Sequence, residues 1–177
     1  MNVIKRSFGL KRANTPAKND KGYASGKITH ITFEKEELVT KDKEGADTVD
    51  VERVIFHFDV DGTSGEPIKI KHKCGVRLNG EKYVVKGKGR GKDEKKEYNK
   101  LTKTCLQLGF ITEAELKNLT DAVMDRVTDK MDHTKDLCVT FKPTLDQKNN
   151  LFGIGMSTLE VKSGIAGKIT SDKYLKV

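Results

Sequence analysis

The segment PIKIKHKCGVRL, residues 67–78, alternates with a period of two. Ile68, Ile70, His72, Cys74, Val76 and Leu78 share one parity; Lys69, Lys71, Lys73, Gly75 and Arg77 share the other. Successive side chains of an extended strand point to opposite faces, so this pattern writes one apolar face and one cationic face. A helix would scatter both sets around its girth. Register is therefore strongly specified, because a slip of one residue would turn the cations into the core. The neighbouring segments carry the same period. Thr29, Ile31 and Phe33 alternate on one face of a first strand. Within 48–60, Val54, Phe56, Phe58 and Val60 share a face, while Val49 and Val51 fall on the opposite parity. The change of parity predicts a bulge near Glu52–Arg53 and a strongly bent strand, of the kind that closes a small barrel. Phe56, Phe58, Phe141 and Phe152 are the expected aromatic core.

Turn and cap signals divide the rest. Asp61-Gly62 marks a turn, and Asn79-Gly80 predicts a tight hairpin into a short strand at 81–86. A first helix is expected from Asp93 to Leu108, with Tyr98, Leu101, Cys105 and Leu108 on its apolar stripe and Gly109 as its left-handed cap. A second starts at a capping box, Thr112 with Glu115, and buries Leu116, Leu119, Val123 and Val127. Strands return at Leu137, Val139 and Phe141, then at Phe152, Ile154 and Met156, with a parity switch to Leu159 and Val161. Runs of strands interrupted once by helices predict a mainly β chain with an α insertion: a small antiparallel barrel with two helices between the third and fourth main strands. The absence of alternating βα units argues against a doubly wound parallel sheet.

The chain of 177 residues has room for one domain. Residues 1–26 read as a flexible basic arm, with six cations against Asp20 alone. The folded domain is expected over 27–162, with a basic tail over 163–177. Lys and Arg exceed Asp and Glu by 34 to 26, giving a formal charge of +8. Such an excess favours a polyanionic partner. The cysteines Cys74, Cys105 and Cys138 are odd in number and far apart, which argues against a disulfide framework and a zinc knuckle and favours a reducing, cytoplasmic interior. No stretch nears the ~20 apolar residues of a membrane span, and the N-terminus has no apolar signal core.

Three groups of residues could carry function. Lys69, Lys71, Lys73 and Arg77 stand on one strand face, at a spacing of about 7 Å set by a rise of ~3.3 Å per residue. That matches successive phosphates of an extended single strand, and no acid interleaves within 67–78. In KGKGRGK, residues 86–92, glycines alternate with Lys86, Lys88, Arg90 and Lys92, so backbone N–H groups and cations can both reach an anion. It is no Walker A loop, since Asp93 follows Gly91-Lys92. It suits a basic hairpin or strand-to-helix loop on a nucleic-acid backbone. His57 and Tyr83 are the flat side chains nearest the basic strand on which bases could stack, and Arg53 adds charge beside them. The four histidines are scattered, and no catalytic triad, cofactor motif or metal-ligand spacing is present.

Two resemblances follow. VIFHFDVDGT, residues 54–63, resembles the first motif of the haloacid dehalogenase-like phosphotransferases, DxDGT after an apolar strand. That resemblance implies a parallel sheet, Asp59 as nucleophile, Asp61 as general acid/base and a Mg²⁺ ion between them. The family's later acidic motif is missing here. By element order over roughly 27–162, and by the position of its basic strand, the chain is similar to OB-fold single-stranded-DNA-binding proteins of phages and bacteria. This implies oligonucleotide binding on the second and third strands and adjoining loops. The expectation is a non-catalytic, sequence-tolerant single-stranded-DNA binder without cofactor, acting in DNA replication or recombination, in the host cytoplasm if phage-encoded. RNA as ligand and a homo-oligomer stay open, as does the alternative of a structural or assembly protein.

Overall fold

The alternating segments form nine strands among the residues described by this computed structural model, which are 14–42, 45–87 and 93–162. They are β1 (Ala24–Asp42), β2 (Gly45–Val60), β3 (Ile68–Gly75), β4 (Tyr83–Val85), β5 (Lys95–Glu97), β6 (Leu137–Phe141), β7 (Pro143–Asp146), β8 (Leu151–Ile154) and β9 (Glu160–Val161). Three helices lie between β5 and β6: α1 (Lys100–Gln107), α2 (Glu113–Leu116) and α3 (Asp121–Asp132). The molecule is mainly β. Its largest sheet is antiparallel and five-stranded, in the order β3-β2-β1-β6-β9, and β4 with β5 and β7 with β8 form two separate hairpins. The parallel sheet implied by the phosphotransferase resemblance is not the sheet found here.

The described residues divide into two compact units, one of residues 14–31, 56–72 and 133–162, the other of residues 32–42, 45–55, 73–87 and 93–132. In the first unit the core gathers Ile28, Phe56, Phe58, Val60, Ile70, Val139 and Phe141, all nearly inaccessible. His72 is buried there against the edges of two rings, 6.0 Å from Phe56 and 6.4 Å from Phe58 between centroids. Phe152 is only half-buried, on the short β7–β8 hairpin, where four-residue strands cannot cover it. Residues 14–23 are hydrogen-bonded into this unit rather than free. Ala17 N–H donates to the Asp61 carbonyl at 2.8 Å and Thr63 N–H to the Thr15 carbonyl at 2.8 Å, so the arm's boundary falls earlier than 26.

In the second unit Leu101, Cys105, Leu108, Phe110, Ile111, Leu116, Val127 and Met131 pack together. The helix expected from Asp93 begins at Lys100 instead. Asn99 caps it, its side chain accepting from Thr102 N–H at 2.9 Å. Residues 95–97 pair with β4, Tyr83 opposite Glu97 and Val85 opposite Lys95. Asn79-Gly80 therefore turns the chain without pairing β3 to β4. The capping box at Thr112 forms as expected, yet its helix stops at Leu116, and α3 restarts with Thr120 Oγ accepting from Val123 N–H at 3.3 Å. One expected helix is thus two. Gly109 takes φ +75°, the left-handed cap after α1. The parity switch near 156 is a 3-10 turn, Met156–Thr158, which separates β8 from β9. On β1 the buried residues are Ala24 and Ile28, not the Thr29–Ile31–Phe33 set; Phe33 is 59% exposed.

Candidate nucleic-acid interface

Strand β3 alternates as its sequence demands: Ile70, His72 and Cys74 are buried, and Lys69, Lys71, Lys73 and Gly75 are exposed. The alternation ends with the strand, for Val76 is exposed and Arg77 lies beyond the last paired residue. The cations of this face are not all unpartnered. In the first unit Lys69 Nζ donates to Asp59 Oδ1 at 2.8 Å. In the second unit Lys73 Nζ donates to Glu36 Oε1 at 2.7 Å, and Arg53 Nε lies 3.5 Å from Glu36 Oε2. Lys73, and then Arg53, hold the Glu36 carboxyl below its usual range. No acid stands in 67–78, but the neighbouring strands supply two. These carboxylates are local only in three dimensions.

Lys71 makes no ion pair among the described residues. Two residues along β3, Lys71 shares the exposed face of Lys69. His57 stacks on His30, ring centroids 4.0 Å apart and planes 9° from parallel. His30 was not singled out in the sequence; only cross-strand stacking marks it. In the first unit an exposed His30 is thus stacked on a half-buried His57.

The second unit presents a basic ribbon. In sequence KGKGRGK joins β4 to β5, and its residues 88–92, with Lys88, Arg90 and Lys92, lie outside the described residues. Residues 82–97 hold seven cations against three acids. Tyr83 and Val84 are exposed on it, at 51% and 48%. Lys82 Nζ lies 4.8 Å over the Tyr98 ring, and Glu97 binds Lys103 at 2.7 Å, which lowers the Glu97 pKa. Lys82, Lys95 and Lys96 extend the cationic surface beyond the residues expected from the sequence. Arg77 lines a separate open groove of about 590 Å³ with Lys35, Lys100, Asp50 and Glu52.

Asp59 and Asp61, the residues of the phosphotransferase resemblance, lie at the end of β2. Asp59 engages Lys69, and Asp61 N–H donates to the Ser25 carbonyl at 2.9 Å. Among the described residues no three His, Cys, Asp or Glu side chains gather as metal ligands, and no helix is long and apolar enough to cross a membrane. No protein-family model, curated protein or solved structure matches the chain.

Proposed function

We propose that this chain is a non-catalytic binder of single-stranded nucleic acid, DNA in the first place, on a small barrel of the OB type. The observation that carries the reading is the β4–β5 hairpin. A two-stranded ribbon with exposed Tyr83, Lys86, Lys95 and Lys96 offers charge to phosphates and a ring to a base, and the sequence that joins its strands alternates glycine with cations. The His30–His57 stack in the first unit is a second flat surface. The ion pairs of Lys69 and Lys73 do not remove those lysines from reach. Solvent screens exposed pairs, so they are weak, and a polyanion that releases condensed counterions competes for the lysines. The barrel is supported by the antiparallel order and by the placing of the α-helices of the described residues between β5 and β6.

The test is a fluorescence-anisotropy titration with mixed-sequence single-stranded DNA, duplex DNA and RNA. Single-stranded DNA is expected to bind tightest. Replacing Tyr83 by Ala is expected to weaken binding by roughly 5- to 100-fold, the equivalent of ~1–3 kcal/mol per stacked base. Lys71→Glu with Lys86→Glu is expected to weaken it further. Unchanged affinity in both variants would overturn the assigned surface, and no binding by the unaltered protein would overturn the function.

A further inference from the structure

Phe152, left half-buried on the β7–β8 hairpin, lines a pocket of the first unit that has no carboxylate in its walls. Its volume is about 270 Å³, below the ~300–1,000 Å³ of drug-sized ligand sites, so a guest is small. Pro16, Pro143 and Phe152 supply apolar walls, and Thr15, Lys18 and Asn150 supply polar ones. The side chains of those polar residues share one property: none makes a hydrogen bond or ion pair among the described residues. Their backbones, by contrast, are held. Thr15 N–H donates to Thr63 Oγ1 at 3.2 Å, and the Thr15 carbonyl accepts from Thr63 N–H at 2.8 Å. Lys18 bridges to Ala24 as an antiparallel pair. Asn150 closes the β7–β8 turn at φ +53°, a left-handed conformation that asparagine tolerates. Asp146 fixes that turn, accepting from Lys148 N–H at 3.1 Å and from Asn149 Nδ2 at 2.8 Å. Polar groups on an ordered backbone but without partners suit a ligand, because little ordering remains to oppose its binding.

The walls specify the guest. Phe152 and the two prolines accept a flat apolar body. The Asn150 amide offers a donor and an acceptor together, and the Thr15 hydroxyl offers both, so the edge of that body has to carry both as well. Lys18 adds a positive charge, and no acid in the walls opposes it. A nucleotide has all of these parts: a planar ring, a hydrogen-bonding edge and a phosphate. The groove at Arg77 lacks this specification, since Asp50 and Glu52 line it and repel a phosphate. We propose that the pocket binds a single nucleotide, its base against Phe152 and Asn150 and its phosphate on Lys18. That nucleotide is either free or one residue of a bound strand. With a strand as its source the inference rests on the proposed function; with a free nucleotide it stands alone.

Amide NMR on the full chain tests it, with deoxynucleoside monophosphates, the matching deoxynucleosides, inorganic phosphate and a mixed-sequence hexadeoxynucleotide as probes. The monophosphates are expected to shift the Lys18, Asn150 and Phe152 amides and to saturate. Nucleosides and inorganic phosphate are expected to bind roughly tenfold or more weakly, because each lacks one half of the guest. Phe152→Leu keeps an apolar side chain and removes the ring; it is expected to weaken the monophosphates roughly 5- to 100-fold. Asn150→Gly removes the amide where a left-handed backbone suits glycine, and Lys18→Glu reverses an exposed charge; each is expected to weaken them several-fold. Spectra that otherwise match the unaltered protein show that the variants fold. The hexanucleotide separates the sources. Shifts of the same amides at lower concentration than the monophosphates need assign the pocket to a strand residue, and shifts with monophosphates alone assign it to a free nucleotide. A protein that binds no strand overturns the proposed function, and the monophosphates then decide the pocket by themselves. Pocket amides that no probe shifts, nucleosides that bind as well as monophosphates, or folded variants of unchanged affinity would each overturn the proposal.

Discussion

Cys105 is buried among the helices of the second unit, and burial pushes its thiol up to about 12. Cys74 is raised by the same cause, its Sγ 3.8 Å from Thr104 Oγ1. The thiolate is the reactive form, so both are held in the inert state at neutral pH, whereas Cys138 is half-exposed. A native thiol titration at neutral pH is expected to label Cys138 rapidly and the other two only as the protein unfolds. Rapid labelling of all three would contradict this packing. The same scale shows what a one-dimensional reading misses. The parity of β3 was legible, since Ile70, His72 and Cys74 alternate with lysines on a single strand. The partners of those lysines were not. Asp59 and Glu36 stand on other strands, ten and thirty-seven residues away, and a local window contains no term for them.

At the scale of elements, local preference and tertiary pairing disagree in one place. Residues 93–97 are rich in helix formers, Asp-Glu-Lys-Lys-Glu, and propensity alone extends α1 over them. Pairing with Tyr83–Val85 overrides it, and Asn99 then supplies the cap that starts the helix later. Both caps further on, Thr112 and Thr120, were visible as residues. Only the first carries the capping-box partner that marks a start in sequence, and the apolar stripe from Leu116 to Val127 continues across the break. Gly80 ties the turn after β3 to α2. A Cβ there would stand 2.2 Å from the Leu116 carbonyl oxygen, a backbone atom with no freedom to move aside. Gly80→Ala is therefore expected to cost stability, of the order of 1–3 kcal/mol as overpacking does. At about 2–4 °C per kcal/mol for a chain of this size, the loss shows as a lower thermal midpoint. An unchanged midpoint would mean that the turn is not seated as described.

Over the whole molecule, charge is segregated rather than spread. The residues outside 34–52 carry thirty-one cations against eighteen acids, so the positive field that a nucleic acid meets is stronger than the net +8 implies. Binding is expected to weaken steeply with salt, with a slope near −0.7 per neutralised phosphate on a single strand, and neutralising Glu37, Asp47 and Asp50 together is expected to raise affinity. An affinity independent of salt would sink the phosphate mechanism. What the amino-acid sequence determined by itself was periodic and local: mainly β character, the buried parity of β3, the capping box, the excess of cations. These follow from side-chain geometry along one segment, which neighbours only reinforce. Which lysines meet carboxylates, that His30 lies on His57, and that residues 95–97 pair as a strand with β4 were decided by tertiary structure, because each depends on strand pairing between separate segments, and pairing partners leave no periodic mark in either segment.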